Sequence, residues 1–181
     1  MTSVATPLTT PVTLARPSAK QAFIDAYERE HAITMRVLHA FPADQADLRP
    51  HPRCKTAREL AFVFVVERGL ATLVFNNAFA TGMPTGGFPE PPSTWNEVVA
   101  AFEKTHADFG RVVRDTPEET LFETVKFFTG PKTLGDMTRM DFLWFILHDE
   151  IHHRGQLSIY LRMSGAKVPS IYGPTADEPW M

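Results

Sequence analysis

The chain has 181 residues, 44% hydrophobic and 22% charged, with a formal net charge of −3 and a pI of about 6.2. That length suits one domain with a proper core, and the composition is ordinary for a soluble globular protein. No basic run occurs, which argues against a dedicated nucleic-acid binder, and the single cysteine, Cys54, excludes an intrachain disulfide and fits a reducing cytoplasm. The amino terminus lacks the apolar core of a signal peptide, and no apolar stretch is long enough to cross a bilayer.

Residues 1–17 are rich in Thr, Pro and small residues and predict an extended arm. Ser18 is a suitable N-cap for a first helix that runs to Phe41, where Pro42 follows. Its apolar stripe is Ile24, Tyr27, Thr34, Met35 and Leu38, with His31 in the gap. Pro42, Pro50 and Pro52 mark a loop. Thr56 and Glu59 then form a capping box for a second helix that ends near Asn77. The Gly- and Pro-rich segment 78–92 is irregular, and Thr94 with Glu97 starts a third helix to about Arg114.

Thr116-Pro-Glu-Glu119 predicts a short turn. Leu121–Phe128 alternates ambiguously, and Thr129-Gly-Pro-Lys132 breaks the chain. A fourth helix spans Met137 to Ser164, with Gly165 as its left-handed cap and an extended tail over Val168–Met181. Four helices of similar length predict an all-α fold: one domain over 18–181, an antiparallel four-helix bundle with extended N- and C-terminal segments.

The fourth helix carries His148-Asp149-Glu150-Ile151-His152-His153. Residues four apart on a helix lie about 40° apart around the axis and roughly 6 Å along it, so His148 and His152 share a face and can grip one divalent cation. Phe145, Gly155 and Ile159 lie on the same stripe, which places the pair toward the interior. Two satisfied core histidines would account for the pattern as well as a metal would.

On the second helix, Glu67 falls on a stripe with Leu60, Val63, Phe64, Leu70 and Val74, where a carboxylate needs a cation, a metal or a proton. His31 reads as a core histidine, and Cys54 as a spectator thiol near a helix start. Glu-x-x-His recurs at Glu28/His31, Glu103/His106 and Glu150/His153, the spacing used by dinuclear bundles, although charged helices produce it often.

His148-x-x-x-His152-His153-Arg154-Gly155-Gln156-Leu157, Tyr160-Leu161-Arg162, Gly165 and Pro169-x-x-Tyr172-Gly173-Pro174 together resemble the DinB family. Thr56-Ala-Arg-Glu-Leu-Ala61 and Phe41-Pro42 extend the resemblance, which covers about residues 20–175. It implies a four-helix bundle, commonly a homodimer, with a zinc or nickel ion held by a helix 2 histidine and a helix 4 His-x-x-x-His pair. It also implies chemistry such as transfer of a low-molecular-weight thiol. His148 and His152 match the pair. The helix 2 position falls at Val63 or Phe62, and that helix contains no histidine. Glu67, one turn on, is the candidate replacement, giving a set of His148, His152 and Glu67. A metal-dependent hydrolase and a metal-free ligand-binding or dimeric interaction module are the competing readings.

Overall fold

The computed structural model describes residues 16–82, 87 and 89–181. Four helices carry the fold: α1 Ala19–Ala40, α2 Ala57–Phe75, α3 Trp95–Asp115 and α4 Arg139–Met163. Each begins where a side chain caps it. Ser18 accepts from the Gln21 backbone N–H, Thr56 and Thr94 close capping boxes with Glu59 and Glu97, and Thr138 accepts from the Asp141 N–H. Gly165, at φ +80°, takes the left-handed position after α4. The arm expected over 1–17 lies outside the described residues apart from Arg16 and Pro17.

The helices do not alternate in direction, which corrects the antiparallel expectation. Lys20 Nζ donates to the Arg114 and Thr116 carbonyls while Trp95 Nε1 donates to the Leu38 carbonyl, so α1 and α3 are antiparallel. Tyr160 to Lys55 and Arg139 to Phe75 make α2 and α4 antiparallel. Phe23 meets Trp144 and Glu30 meets Arg154, so α1 and α4 run parallel. Phe64 with Phe102 and Phe75 with Phe109 make α2 and α3 parallel. The order is up-down-down-up, and the long segment between α2 and α3 exists because the chain must return to the end where α2 began. The pairs in extensive contact are α1 with α3 and α4, and α2 with α3 and α4.

A second correction concerns the all-α expectation. After a short 3-10 turn at Glu119–Phe122, an antiparallel hairpin forms from β1 Thr124–Gly130 and β2 Thr133–Thr138. Val125 and Phe127 point into the core from β1, with Phe127 edge-on to Phe79 and Phe142. The alternation ahead of Thr129 was a strand signal, and the Gly-Pro-Lys break is the hairpin turn, with Lys132 at φ +57°.

The interior is layered along the bundle axis. One apolar cluster at the hairpin end includes Phe23, Ala71, Phe109, Phe142 and Leu143. Another at the opposite end includes Leu38, Leu60, Phe64, Trp95 and Leu161. Between them every helix contributes buried polar residues: Glu30 and Thr34 from α1, Glu67 and Arg68 from α2, His106 from α3, Glu150 and Arg154 from α4. The carboxy-terminal tail lies against this bundle, with Tyr172 Oη 2.5 Å from both Glu30 Oε2 and Arg154 Nη2.

Candidate metal centre

The buried face of α4 is Leu143, Ile146, Leu147, Glu150, Arg154, Leu157 and Leu161. That rotation puts His148 and His152 in solvent, together with Phe145 (45% exposed) and Ile159 (60% exposed). The expectation that this histidine pair faces the interior is therefore corrected. Charged Glu150 and Arg154 sit at the centre of the true inner stripe and disguise it as a polar face. Phe145 and Ile159 make the outer stripe look apolar.

Half-buried Asp149 and His153 flank the inner stripe and form the i, i+4 pair that meets α2. Opposite them is Glu67, 4% exposed on its apolar helix face. His153 Nε2 lies 3.6 Å from Asp149 Oδ1 and 3.8 Å from Glu67 Oε1. One donor atom from each of Glu67, Asp149 and His153 falls within 4.8 Å of the others, the one such group of three among the described residues. The structure thus unites Glu67 with the residues one position beyond His148 and His152, and does not bring those two to it.

Both Glu67 carboxylate oxygens are buried without a hydrogen-bond partner among the described residues. Burial pushes the Glu67 pKa up to about 9. The neighbouring Arg68 charge opposes the rise, while Asp149 adds to it. Glu67 therefore holds a proton at neutral pH unless a cation replaces it. Metal–donor bonds of about 2.0–2.2 Å suit a donor triangle of this size after slight contraction. Two carboxylates and an imidazole are an ordinary donor set for zinc and neighbouring divalent ions. The residues present fit a divalent metal.

Gln156, one turn along α4, orders the imidazole. His153 Nδ1 is 3.1 Å from Gln156 Oε1, and Gln156 Nε2 is 2.9 Å from His152 Nε2. With Gln156 accepting the Nδ1 proton, the Nε2 lone pair of His153 is left facing Glu67 and Asp149. His152 belongs to the outer end of this chain of contacts.

The three residues lie along one wall of a cavity of ≈ 680 Å³. Phe62, Val63, Val66 and Leu70 of α2 supply its apolar side, and the 49–55 loop its mouth. Val63, at the position where the resemblance implies a histidine, lines this cavity one turn from Glu67.

The recurrent Glu-x-x-His pairs form no dinuclear donor set among the described residues, although Glu28 and His31 of the first pair both meet His106 of the second. Glu103 is exposed, Glu150 is ion-paired with Arg68, and Glu28 bonds Arg114 at 2.9 Å and His106 at 3.1 Å. His31 and His106 are ring-stacked at 3.6 Å. Burial, with His31 adding to it, lowers His106 to about 3, so it is neutral. Cys54 lines the cavity mouth as a free thiol.

Several proteins are similar to this chain in sequence or in fold. The uncharacterized protein YrdA of Bacillus subtilis is 24% identical over 156 residues, covering 86% of this chain and 89% of its own length. The crystal structure of a DinB-like protein from Bacillus cereus superposes with a TM-score of 0.70 at 18% identity, over 84% of this chain and 97% of that one. YfiT from B. subtilis, described as a probable metal-dependent hydrolase with an unusual four-helix bundle topology, gives 0.59 at 12% identity over 88% and 95%. At these identities the structural likeness speaks for the fold alone. The sequence itself goes further: the DinB family model matches residues 18–180, nearly the whole chain, and the protein belongs to the DinB family.

Proposed function

We propose that this protein is a metal-dependent enzyme, and that Glu67, Asp149 and His153 hold its divalent ion at the inner wall of the cavity. The observation that carries the reading is Glu67: a buried carboxylate with two unpartnered oxygens, facing a half-buried Asp and His at an open cavity. In its ionised form such a group is costly to keep without a cation; without one, Glu67 keeps its proton beside Asp149. Zinc is the first choice and nickel the second, since both accept oxygen and imidazole donors.

Hydrolysis is the favoured reaction. A bound divalent ion supplies a Lewis acid and an activated water at neutral pH. The chain's own residues do the rest. Gln156 holds the His153 ring, Phe62, Val63 and Val66 wall one side of the cavity against water, and Asp149 places a second negative charge beside the ion. The oxygen-rich donor set supports hydrolysis, and a protein of the same fold is described as a probable metal-dependent hydrolase. Transfer of a low-molecular-weight thiol, such as bacillithiol or mycothiol, is the second reading, supported by family membership. A soft thiolate is better matched to a softer, more positive centre, which places this reaction behind hydrolysis.

Elemental analysis of untagged protein tests the site. About one ion per chain is expected, lost in Asp149→Ala and His153→Ala and kept in His148→Ala. No metal after dialysis against zinc and nickel overturns the reading and leaves a metal-free ligand-binding bundle. Ester hydrolysis against thiol consumption with a chloro-aromatic electrophile then separates the two reactions. We also propose a homodimer, supported by the exposed Phe145 and Ile159 on α4, which light scattering of the purified protein tests.

A further inference from the structure

The cavity that holds the carboxylates has a cationic mouth. Arg49, Arg53 and Lys55 all line it, within seven residues of one loop, in a chain whose net charge is −3. Arg49 is paired with Glu59 at 3.2 Å, and Glu59 is further engaged by the Thr56 N–H at 2.7 Å in the capping box. Arg53 and Lys55 are exposed, and neither is ion-paired with a carboxylate among the described residues.

The loop that carries them is held in place. The Ala57 N–H donates to the Leu48 carbonyl at 2.9 Å and the Cys54 N–H to the His51 carbonyl at 2.8 Å. Tyr160 of α4 donates its hydroxyl to the Lys55 carbonyl at 3.0 Å. Because the loop backbone is pinned, an anion that arrives has only the two side chains left to order. Phe62, Val63 and Val66 also line the cavity, and they stand on α2 between this loop and Glu67.

We propose that the cavity takes a small organic anion, a carboxylate or phosphate, whose charged end is held at the mouth by Arg53 and Lys55. Its apolar body lies along α2, with the reacting bond toward Asp149 and His153. The orientation follows from charge. In the metal-free molecule the inner end presents the Asp149 carboxylate and repels an anion, whereas the mouth attracts one. The proposal names the substrate class for the site under Proposed function and rests on that reading for the reaction, but the anion site itself can be tested without metal.

Metal-stripped protein is titrated with hexanoate, hexyl phosphate and neutral hexanamide, followed by backbone NMR shifts of the 49–55 loop and α2. The anions are expected to bind about fivefold more tightly than hexanamide, the scale of two exposed charge pairs. Which anion binds better tells carboxylate from phosphate. The double variant Arg53→Gln/Lys55→Gln should erase the preference, leave hexanamide binding unchanged, and keep the wild-type melting temperature because both side chains are exposed. Equal binding of anion and amide, no binding of either, or a preference that survives the double substitution overturns the proposal. Metal content is measured in parallel. Wild type that discriminates anions yet takes up no metal would sink the metalloenzyme reading and leave the anion site standing, and the reverse result separates them the other way.

Discussion

Two polar regions lie side by side within this bundle and are built from neighbouring residues. Glu67, Asp149 and His153 face the cavity, whereas Arg68, Glu150 and Arg154, each one position later, face the centre of the bundle. The inner set balances its charges, although Arg68 Nε and Nη1 are buried without a hydrogen-bond partner among the described residues. Arg68 pairs with Glu150, Thr34 Oγ1 donates to Glu150 at 2.7 Å, and Arg154 bonds Glu30 at 2.8 Å. The Arg68 guanidinium also stands 5.0 Å over the Tyr27 ring. The outer set is two carboxylates and an imidazole with no arginine, and it is unfinished, with both Glu67 oxygens unpartnered among the described residues. A helix turns about 100° per residue, so one step along the chain separates a structural lock from a site that needs a ligand. Charge pairing, rather than burial alone, distinguishes the two: each inner carboxylate has an arginine, and Glu67 and Asp149 have none.

The largest expected effect comes from breaking the charge-paired set. Glu150→Gln leaves the Arg68 charge buried without its counter-ion, and urea unfolding should show a loss of about 3–5 kcal/mol. The double variant Arg68→Met/Glu150→Leu should regain most of it, because apolar side chains fill the space without needing a partner. A loss below about 1 kcal/mol for Glu150→Gln would show that the charge-paired set is no lock.

The unfinished set should respond to ligand instead. His153→Ala is expected to weaken zinc binding by about a hundredfold while costing little stability in the metal-free protein. Competition with a chromophoric chelator measures this, and an unchanged zinc affinity would remove His153 from the site. Glu67 makes the same region sensitive to pH. Its pKa in the folded protein, about 9, lies above the ordinary carboxylate value, so the native state binds the extra proton between those limits. The Glu67 contribution to the stability of the metal-free protein is then complete below the ordinary value and falls as pH rises toward about 9, by about 3 kcal/mol between pH 6 and pH 8. Glu67→Gln should flatten that dependence. Saturating zinc should too, because metal uptake displaces the proton. A slope that persists in Glu67→Gln assigns the titration elsewhere.

Smaller effects sharpen the boundary. Gln156→Ala should lower metal affinity by about tenfold and free the His153 ring to exchange tautomers, which ¹⁵N NMR of the imidazole reports. An unchanged tautomer would show that the backbone, not Gln156, orients the ring. His148→Ala should change neither zinc affinity nor stability by more than about 0.5 kcal/mol, as befits an exposed side chain beside the site rather than in it.

Much of the fold was legible because its signals are local. Ser18, Thr56/Glu59, Thr94/Glu97 and Gly165 set helix ends through contacts within a turn, and each stands where its residue type predicts. The hairpin was less legible. Two adjacent phenylalanines blur the alternation of β1, and its pairing partner lies beyond a Gly-Pro turn that also reads as a simple break. Glu67 was legible as well, since a lone carboxylate on an apolar stripe needs an explanation wherever the helix packs.

His148/His152 and Asp149/His153 have the same spacing, and spacing alone cannot choose between frames one residue apart. The sequence determined four helices, their caps, the family pattern on α4 and a buried carboxylate on α2, all of which depend on periodicity and neighbours within a few residues. The tertiary structure decided the up-down-down-up order and the rotation of α4. That rotation depends on Glu150 and Arg154 finding Arg68, Thr34 and Glu30 on other helices, up to 124 residues away in the chain. Once those long-range pairs fix the helix, Asp149 and His153 face Glu67, and His148 and His152 face water.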